Sequence, residues 1–127
     1  MIIGSGIDLT EVARIQKAVE RYGARFLDRV FTAGEQAYCL PRRTGAESLA
    51  ARFAAKEAAA KALGTGISHG VTWSEIEVVR EPGGKPCLRF HGRAAEIATR
   101  MGVARAALSL THTRDLAIAS VVIEDGR

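Results

Sequence analysis

Between Gly45 and Leu63 the chain reads GAESLAARFAAKEAAAKAL, and no other segment limits the fold as strongly. Thr44 and Glu47 form a capping-box pattern at its start, and Gly64 stops it, so the spacing predicts one long helix. On a wheel of ~100° per residue, Ala50, Ala51, Ala54, Ala55, Ala58 and Ala62 fill one face almost alone. The other face mixes Leu49, Phe53 and Leu63 with Arg52, Lys56, Glu57 and Lys61. Surface helices ordinarily carry one apolar stripe and one polar face. Here a smooth alanine face lets another element approach closely. The second face has two readings: its charges reach into solvent, or Lys56, Glu57 and Lys61 line a cleft walled by Phe53 and Leu63.

The remaining elements group around this helix. Met1 to Asp8 reads as a strand, with Ile2, Ile3 and Ile7 β-branched and Gly4 and Gly6 loosening it. Thr10 is placed to cap a helix running to Tyr22, on which Val12, Ile15, Ala18, Val19 and Tyr22 keep helical spacing. A short helical stretch follows at Phe26 to Val30, and Thr32 with Glu35 opens another that ends before Pro41. Val71 to Arg80, containing Trp73, Ile76 and Val78, and Pro86 to His91 form a hairpin around Pro82-Gly83-Gly84. Gly92 to Met101 is a helix, and Ala106 to Thr113 with Leu116 to Ile123 close the chain as a second hairpin. Strands and helices do not alternate as βα units. The class is α+β: a mainly antiparallel sheet packed against the Ala-rich helix, in a single domain covering residues 1–127.

Composition excludes several functions. Hydrophobic residues make up 47 % and charged residues 25 % of 127, the balance of a folded soluble domain. No apolar run approaches the ~18 residues a membrane helix needs, and Met1 to Gly6 has no signal-peptide pattern, so a cytoplasmic protein is expected. Cys39 and Cys87 lack a CxxC partner, which argues for reduced thiols and against a disulfide scaffold or structural zinc. A net charge of +4 suits an anionic ligand or partner without choosing one.

Three places hold candidate chemistry. Gly64-Thr65-Gly66 ends the long helix with backbone N–H groups open to a phosphate, or is merely a helix stop. Asp8 follows Gly6-Ile7 and is either a turn residue or a metal ligand needing a second carboxylate, for which Glu57 is available. His112 stands between Thr111 and Thr113 and beside Arg114, an ordinary turn or a donor set for a phosphate oxygen, whereas His69 and His91 carry no pattern.

Taken in order, these segments resemble the holo-acyl-carrier-protein synthase family, the small phosphopantetheinyl transferases. Gly6-Ile7-Asp8 with Arg14 resembles its first motif. The most specific match is Arg52-Phe53-Ala54-Ala55-Lys56-Glu57-Ala58 followed by Lys61-Ala62-Leu63-Gly64-Thr65-Gly66. Trp73 to Val79 with Gly84-Lys85-Pro86 resembles the central hairpin, and Ser109-Leu110-Thr111-His112-Thr113 the last strand pair. The resemblance implies transfer of 4′-phosphopantetheine from coenzyme A to a serine of apo acyl carrier protein, with release of 3′,5′-ADP. It implies magnesium at Asp8 and Glu57, catalysis by Glu57, Lys61 and Asp8, and coenzyme A contacts from Arg52, Lys56, Gly64, Gly66, His112 and Thr113. It also implies a homotrimer with sites between subunits, where His112 acts on a cofactor held mainly by the neighbour.

These roles agree with elementary chemistry. Coenzyme A carries a pyrophosphate and a 3′-phosphate and requires a basic site. A serine hydroxyl needs a proton acceptor, either Glu57 itself or a metal-bound water, and the water is favoured because a carboxylate on magnesium is a weakened base. Arg14, Lys17 and Arg21 share a helix face, with Arg25 just beyond; Arg14, Arg21 and Arg25 are expected to dock an acidic carrier protein, although Ala18 offers little apolar anchor. The competing reading is a basic nucleic-acid-binding module without chemistry. Only seven aromatic residues (Phe 4, Tyr 2, Trp 1) are present, and they do not interleave with the cations as a stacking platform requires. Neither nucleic acid nor membrane is therefore expected as a partner.

Overall fold

The computed structural model describes all 127 residues. Strand β1 (Ile2–Glu11) leads into helices α1 (Val12–Tyr22), α2 (Ala24–Val30), α3 (Ala33–Cys39) and the long α4 (Gly45–Ala62). A 3₁₀ turn (Trp73–Glu75) then precedes β2 (Ile76–Arg80), β3 (Pro86–Phe90), α5 (Gly92–Met101), β4 (Arg105–His112) and β5 (Leu116–Glu124). The strands form an antiparallel three-stranded sheet in the order β1-β5-β4 and a separate β2-β3 hairpin. The class expected from sequence is the class found.

The alanine face of α4 explains how these parts fit. Inward-facing Gly4 and Gly6 lie directly against the helix backbone: a Cβ at Gly6 would fall on the Ala58 carbonyl, and one at Gly4 on that of Ala62. These glycines do not loosen the strand; with alanines opposite, they let strand and helix touch main chain to main chain. The register Gly6↔Val121 and Asp8↔Ala119 carries the same face across to β5, where Ala117, Ala119, Val121 and Ile123 are fully buried. A second buried cluster joins Val12, Ile15, Leu27, Val30 and Phe31 to Leu49 and Phe53 of α4. The helix is therefore the centre of the molecule, packed on all sides. From Ser48 to Leu63, only Glu57 and Lys61 escape burial.

Several local expectations are corrected. Thr10 does not cap α1; it is a buried strand residue whose hydroxyl donates to Asp8 Oδ2 at 2.9 Å. Thr32 and Glu35 form the expected capping box, but Thr44 makes no side-chain cap on α4. Trp73 belongs to the 3₁₀ turn, and the strand begins only at Ile76. There the Glu75 carboxylate accepts from the Thr72 N–H (3.0 Å) and the Arg93 N–H (2.8 Å), so the turn is fixed to the start of α5.

Candidate active site

Asp8 points from the inner face of β1 toward the C-terminal half of α4. Its Oδ1 accepts from Lys61 Nζ at 3.2 Å, and the same ammonium donates to the Ile7 carbonyl at 2.9 Å. Glu57 lies one helical turn before Lys61, so both side chains emerge on the same side of α4. Glu57 Oε1 accepts from the Trp73 indole N–H at 3.0 Å, which leaves Oε2 without a protein donor. Asp8, distant in sequence, thus meets α4 at Lys61, one turn beyond Glu57, and Glu57 and Lys61 are the two residues of the Ser48–Leu63 stretch that escape burial.

No group of three or more His, Cys, Asp or Glu side chains is placed to hold a metal. Two carboxylates supply hard oxygen ligands, which suit magnesium when waters and phosphate oxygens complete its shell. They do not suit zinc, which takes three or four nitrogen or sulfur ligands from protein. Lys61 is half exposed, so displacing it from Asp8 by a divalent cation costs little.

Lys56 and the glycine turn differ from expectation in the hydrogen-bond donors they leave free. Lys56 lines no cleft: its side chain is fully buried, and Nζ donates to Glu35 Oε1 (2.7 Å), the Trp73 carbonyl (3.1 Å) and the Ile76 carbonyl (2.6 Å). All three ammonium protons are used, so none remains for coenzyme A. Burial pushes the Lys56 pKa down, against the opposing pull of Glu35. Glu35 is equally satisfied, accepting also from the Thr32 N–H and the Val78 N–H, each at 2.8 Å. The second difference concerns the glycine turn. The N–H groups of Gly64, Thr65 and Gly66 donate back to the carbonyls of Lys61, Ala60 and Ala60. Gly64 (φ 81°) and Gly66 (φ 61°) hold left-handed backbone with open space where a Cβ would stand, so the turn offers room for a ligand but no free donors.

A second site lies on the opposite flank of α4, beside β4. Arg42, Arg52, Arg80, Tyr38, Pro86 and His112 line a cavity of about 340 Å³. The guanidinium carbons of Arg42, Arg52 and Arg80 lie 3.8, 4.4 and 4.9 Å from the centroid of the Tyr38 ring. Arg52 is buried; one of its nitrogens donates to the Ser48 carbonyl at 3.3 Å, and its Nε has no partner. Three guanidinium groups crowded around one cavity, with few acceptors among them, are a chemistry that suits an anion. His112 stands at the rim, its Nδ1 3.5 Å from Glu47. Thr113 is a turn residue: its hydroxyl oxygen accepts from the N–H groups of Asp115 (3.2 Å) and Leu116 (3.1 Å).

Of the expected docking arginines, Arg14 borders a groove of about 280 Å³ with Arg29, Tyr22, Phe26, Phe53 and Trp73. Arg25 continues the cationic rim beside Tyr22, Phe26 and Arg29, while Arg21 lies over the Tyr22 ring at 5.3 Å. Beside Ala18, which adds little apolar surface, the groove is walled by aromatics on α1, α2, α4 and the 3₁₀ turn. One-dimensional spacing had no means of assembling it, because each ring belongs to a different segment.

The sequence model of the 4′-phosphopantetheinyl transferase superfamily matches residues 4–121, and the chain belongs to that superfamily. The holo-[acyl-carrier-protein] synthase of Koribacter versatilis is 54 % identical over 125 residues, covering 98 % of this chain and all of the relative. Among solved structures, the Neisseria meningitidis holo-[acyl-carrier-protein] synthase matches with a TM-score of 0.87 at 35 % identity, covering 98 % of this chain and 99 % of that one. The Helicobacter pylori holo-[acyl-carrier-protein] synthase in complex with coenzyme A matches with a TM-score of 0.84 at 31 % identity, over 94 % and 99 % of the two chains.

Proposed function

We propose that this chain transfers 4′-phosphopantetheine from coenzyme A to a serine of an apo acyl carrier protein and releases 3′,5′-ADP. The observation that carries this reading is the contact of Asp8 with Lys61, one helical turn from the part-exposed Glu57 on an otherwise buried stretch of α4, in a member of a superfamily of such transferases. In the reaction the serine Oγ bonds the pantetheine phosphorus, the P–O bond to the departing ADP phosphate breaks, and the serine proton is taken up. Magnesium held by Asp8 and Glu57 would neutralise charge on the pyrophosphate and the leaving phosphate. Lys61 stabilises that same leaving charge or protonates it. The serine proton passes to a water beside the site, because Oε2, the one Glu57 oxygen that Trp73 leaves free, is the oxygen available to the metal.

The arginine cavity then takes the remaining phosphate of coenzyme A, with Arg52 as the buried donor. It lies on the far side of α4 from Asp8, and a helix with its side chains is ~10 Å wide. One protomer does not present both halves to the same cluster of phosphates, which supports a site completed by a second copy. The outer sheet face supports the same conclusion: Ile7 is 64 %, Leu9 60 % and Ile118 37 % exposed, with Leu9 and Ile118 in register. A homotrimer closed through this face buries those residues and brings an Asp8 half-site against a neighbour's Arg52 half-site. The aromatic groove with its arginine rim receives the acidic carrier protein, charge steering the encounter and the rings anchoring it. No helix is long and apolar enough to cross a membrane, and with a freely diffusing carrier as substrate we place the reaction in the cytoplasm.

The test is mass spectrometry of an apo carrier protein incubated with coenzyme A and this protein, with and without magnesium. A gain of one 4′-phosphopantetheine group that disappears with chelator is the expected result. An unmodified carrier under both conditions defeats the reading.

A further inference from the structure

Glu57 leaves the core of α4 with one carboxylate oxygen already committed to the Trp73 indole N–H. The indole is held in turn on every part of its structure. Its ring stacks on Phe53 with centroids 6.3 Å apart and planes 26° from parallel, and the Arg29 guanidinium lies 5.7 Å from its centre. The main-chain carbonyl of Trp73 accepts from Lys56 Nζ at 3.1 Å, and the same ammonium holds the Ile76 carbonyl at the other end of the turn. Lys56 and Glu57 are adjacent in sequence but project differently, one into the core beneath the turn, the other to the surface beside it. A buried ion pair with no ligand contact of its own is thus fastened to the backbone from which Glu57's hydrogen-bond donor projects. Groups that hydrogen-bond a ligating carboxylate fix its orientation and its charge.

We propose that Trp73 is a positioning residue for Glu57: its N–H fixes one oxygen so that the other faces the transferred phosphate, and the buried Lys56–Glu35 pair serves the chemistry by holding the turn that carries the indole. The proposal rests on reading Glu57 as part of the reacting site. Trp73→Phe keeps an aromatic ring against Phe53 while removing the N–H donor along with one ring of the indole. Trp73→Phe should therefore lower kcat and raise the magnesium concentration for half-maximal rate, each by about 10- to 100-fold. The KM for the carrier protein should stay within about twofold, because the aromatic wall of the groove remains.

A readout independent of turnover is available because Trp73 is the only tryptophan in the chain. The ¹⁵N-labelled protein has one indole N–H resonance. It should move between wild type and Glu57→Gln, and it should move on adding magnesium to the coenzyme A-loaded wild type but not to Glu57→Gln. That comparison changes nothing at position 73 and holds even if Trp73→Phe is unstable. A Trp73→Phe enzyme with wild-type kcat and magnesium requirement, alongside an inactive Glu57→Ala, overturns the positioning role alone. An indole resonance identical in wild type and Glu57→Gln overturns it as well. Full activity in Glu57→Ala overturns the catalytic reading of Glu57, and the proposal with it.

Discussion

At the scale of single residues, the decisive distinction is between charges that reach the surface of α4 and charges that do not. Asp8→Ala and Glu57→Ala each remove a carboxylate from a partly exposed site, and the one buried partner lost is the Thr10 hydroxyl that donates to Asp8. Both proteins should melt within a few degrees of wild type, while transfer to an apo carrier falls to background; activity retained in either one defeats the two-carboxylate site. Lys56 was indistinguishable from these residues in sequence, because a lysine in a charged motif reads the same whether its ammonium faces solvent or a buried glutamate. Its partner Glu35 was legible only as a capping residue, and nothing local announced a contact across 21 positions. Another residue with a measurable signature is Glu77. Burial raises its pKa, but hydrogen bonds from His91 (2.9 Å) and the Thr32 hydroxyl (2.7 Å) outweigh burial and hold it below the ordinary carboxylate range. A carboxyl depressed in the folded state contributes stability above its unfolded pKa and loses it as pH falls through the folded one. Melting temperatures of wild type and Glu77→Gln should accordingly differ at neutral pH and converge as pH is taken below ~4.

At the scale of elements, helix α1 offers the clearest test. Arg14 stands over the Phe53 ring at 5.5 Å and on the rim of the aromatic groove. An exposed charge pair is worth ~1 kcal/mol or less, so Arg14→Ala should cost about fivefold or less in kcat/KM for the carrier. Arg14→Glu replaces attraction by repulsion and should cost more. Both losses should shrink toward ~1 M salt, where the screening length is ~3 Å, and the KM for coenzyme A should hardly change. Steady-state kinetics at two salt concentrations decide the matter; equal carrier KM for wild type and Arg14→Glu at low salt removes α1 from the docking surface. The elements themselves were largely visible, because α1, α5 and both hairpins obey simple periods, and glycine or proline marks the ends of α1 and α5 and the turn of the first hairpin. Errors fell where tertiary contact overrides local pattern. Thr10 has the sequence signature of a cap, yet the register of β1 on β5 runs on to Glu11↔Leu116 and keeps it in the strand. Trp73 alternates with Ile76 and Val78 closely enough to pass for strand, while its carbonyl is in fact drawn into a turn by Lys56. The arginine cavity was half legible: Arg52 and His112 stood in recognisable motifs, whereas Arg42, Arg80 and Tyr38 join them only in three dimensions.

At the scale of the whole molecule, the division of the site across α4 yields a complementation experiment. Asp8→Ala and Arg52→Ala should each be inactive as pure oligomers. Co-refolded or co-expressed, they should regain part of the wild-type rate, because some interfaces pair the intact Asp8 of one subunit with the intact Arg52 of another. A strictly monomeric, fully active protein in sedimentation, or mixtures no more active than either variant alone, would rule out a shared site. The pairing of β1 with β5 has a further consequence, for the order in which the protein comes into being. Asp8 meets Ala119 across almost the whole chain, and the helix between them in sequence shows both strands mainly alanine. Contacts this distant form slowly, because loop closure must precede them. During synthesis the first strand therefore leaves the ribosome with its partner still untranslated, its Ile7 and Leu9 uncovered and both of its edges unpaired. Until its last residues emerge the chain carries this strand unpaired, and only then does the central helix acquire both of the walls that fix its position.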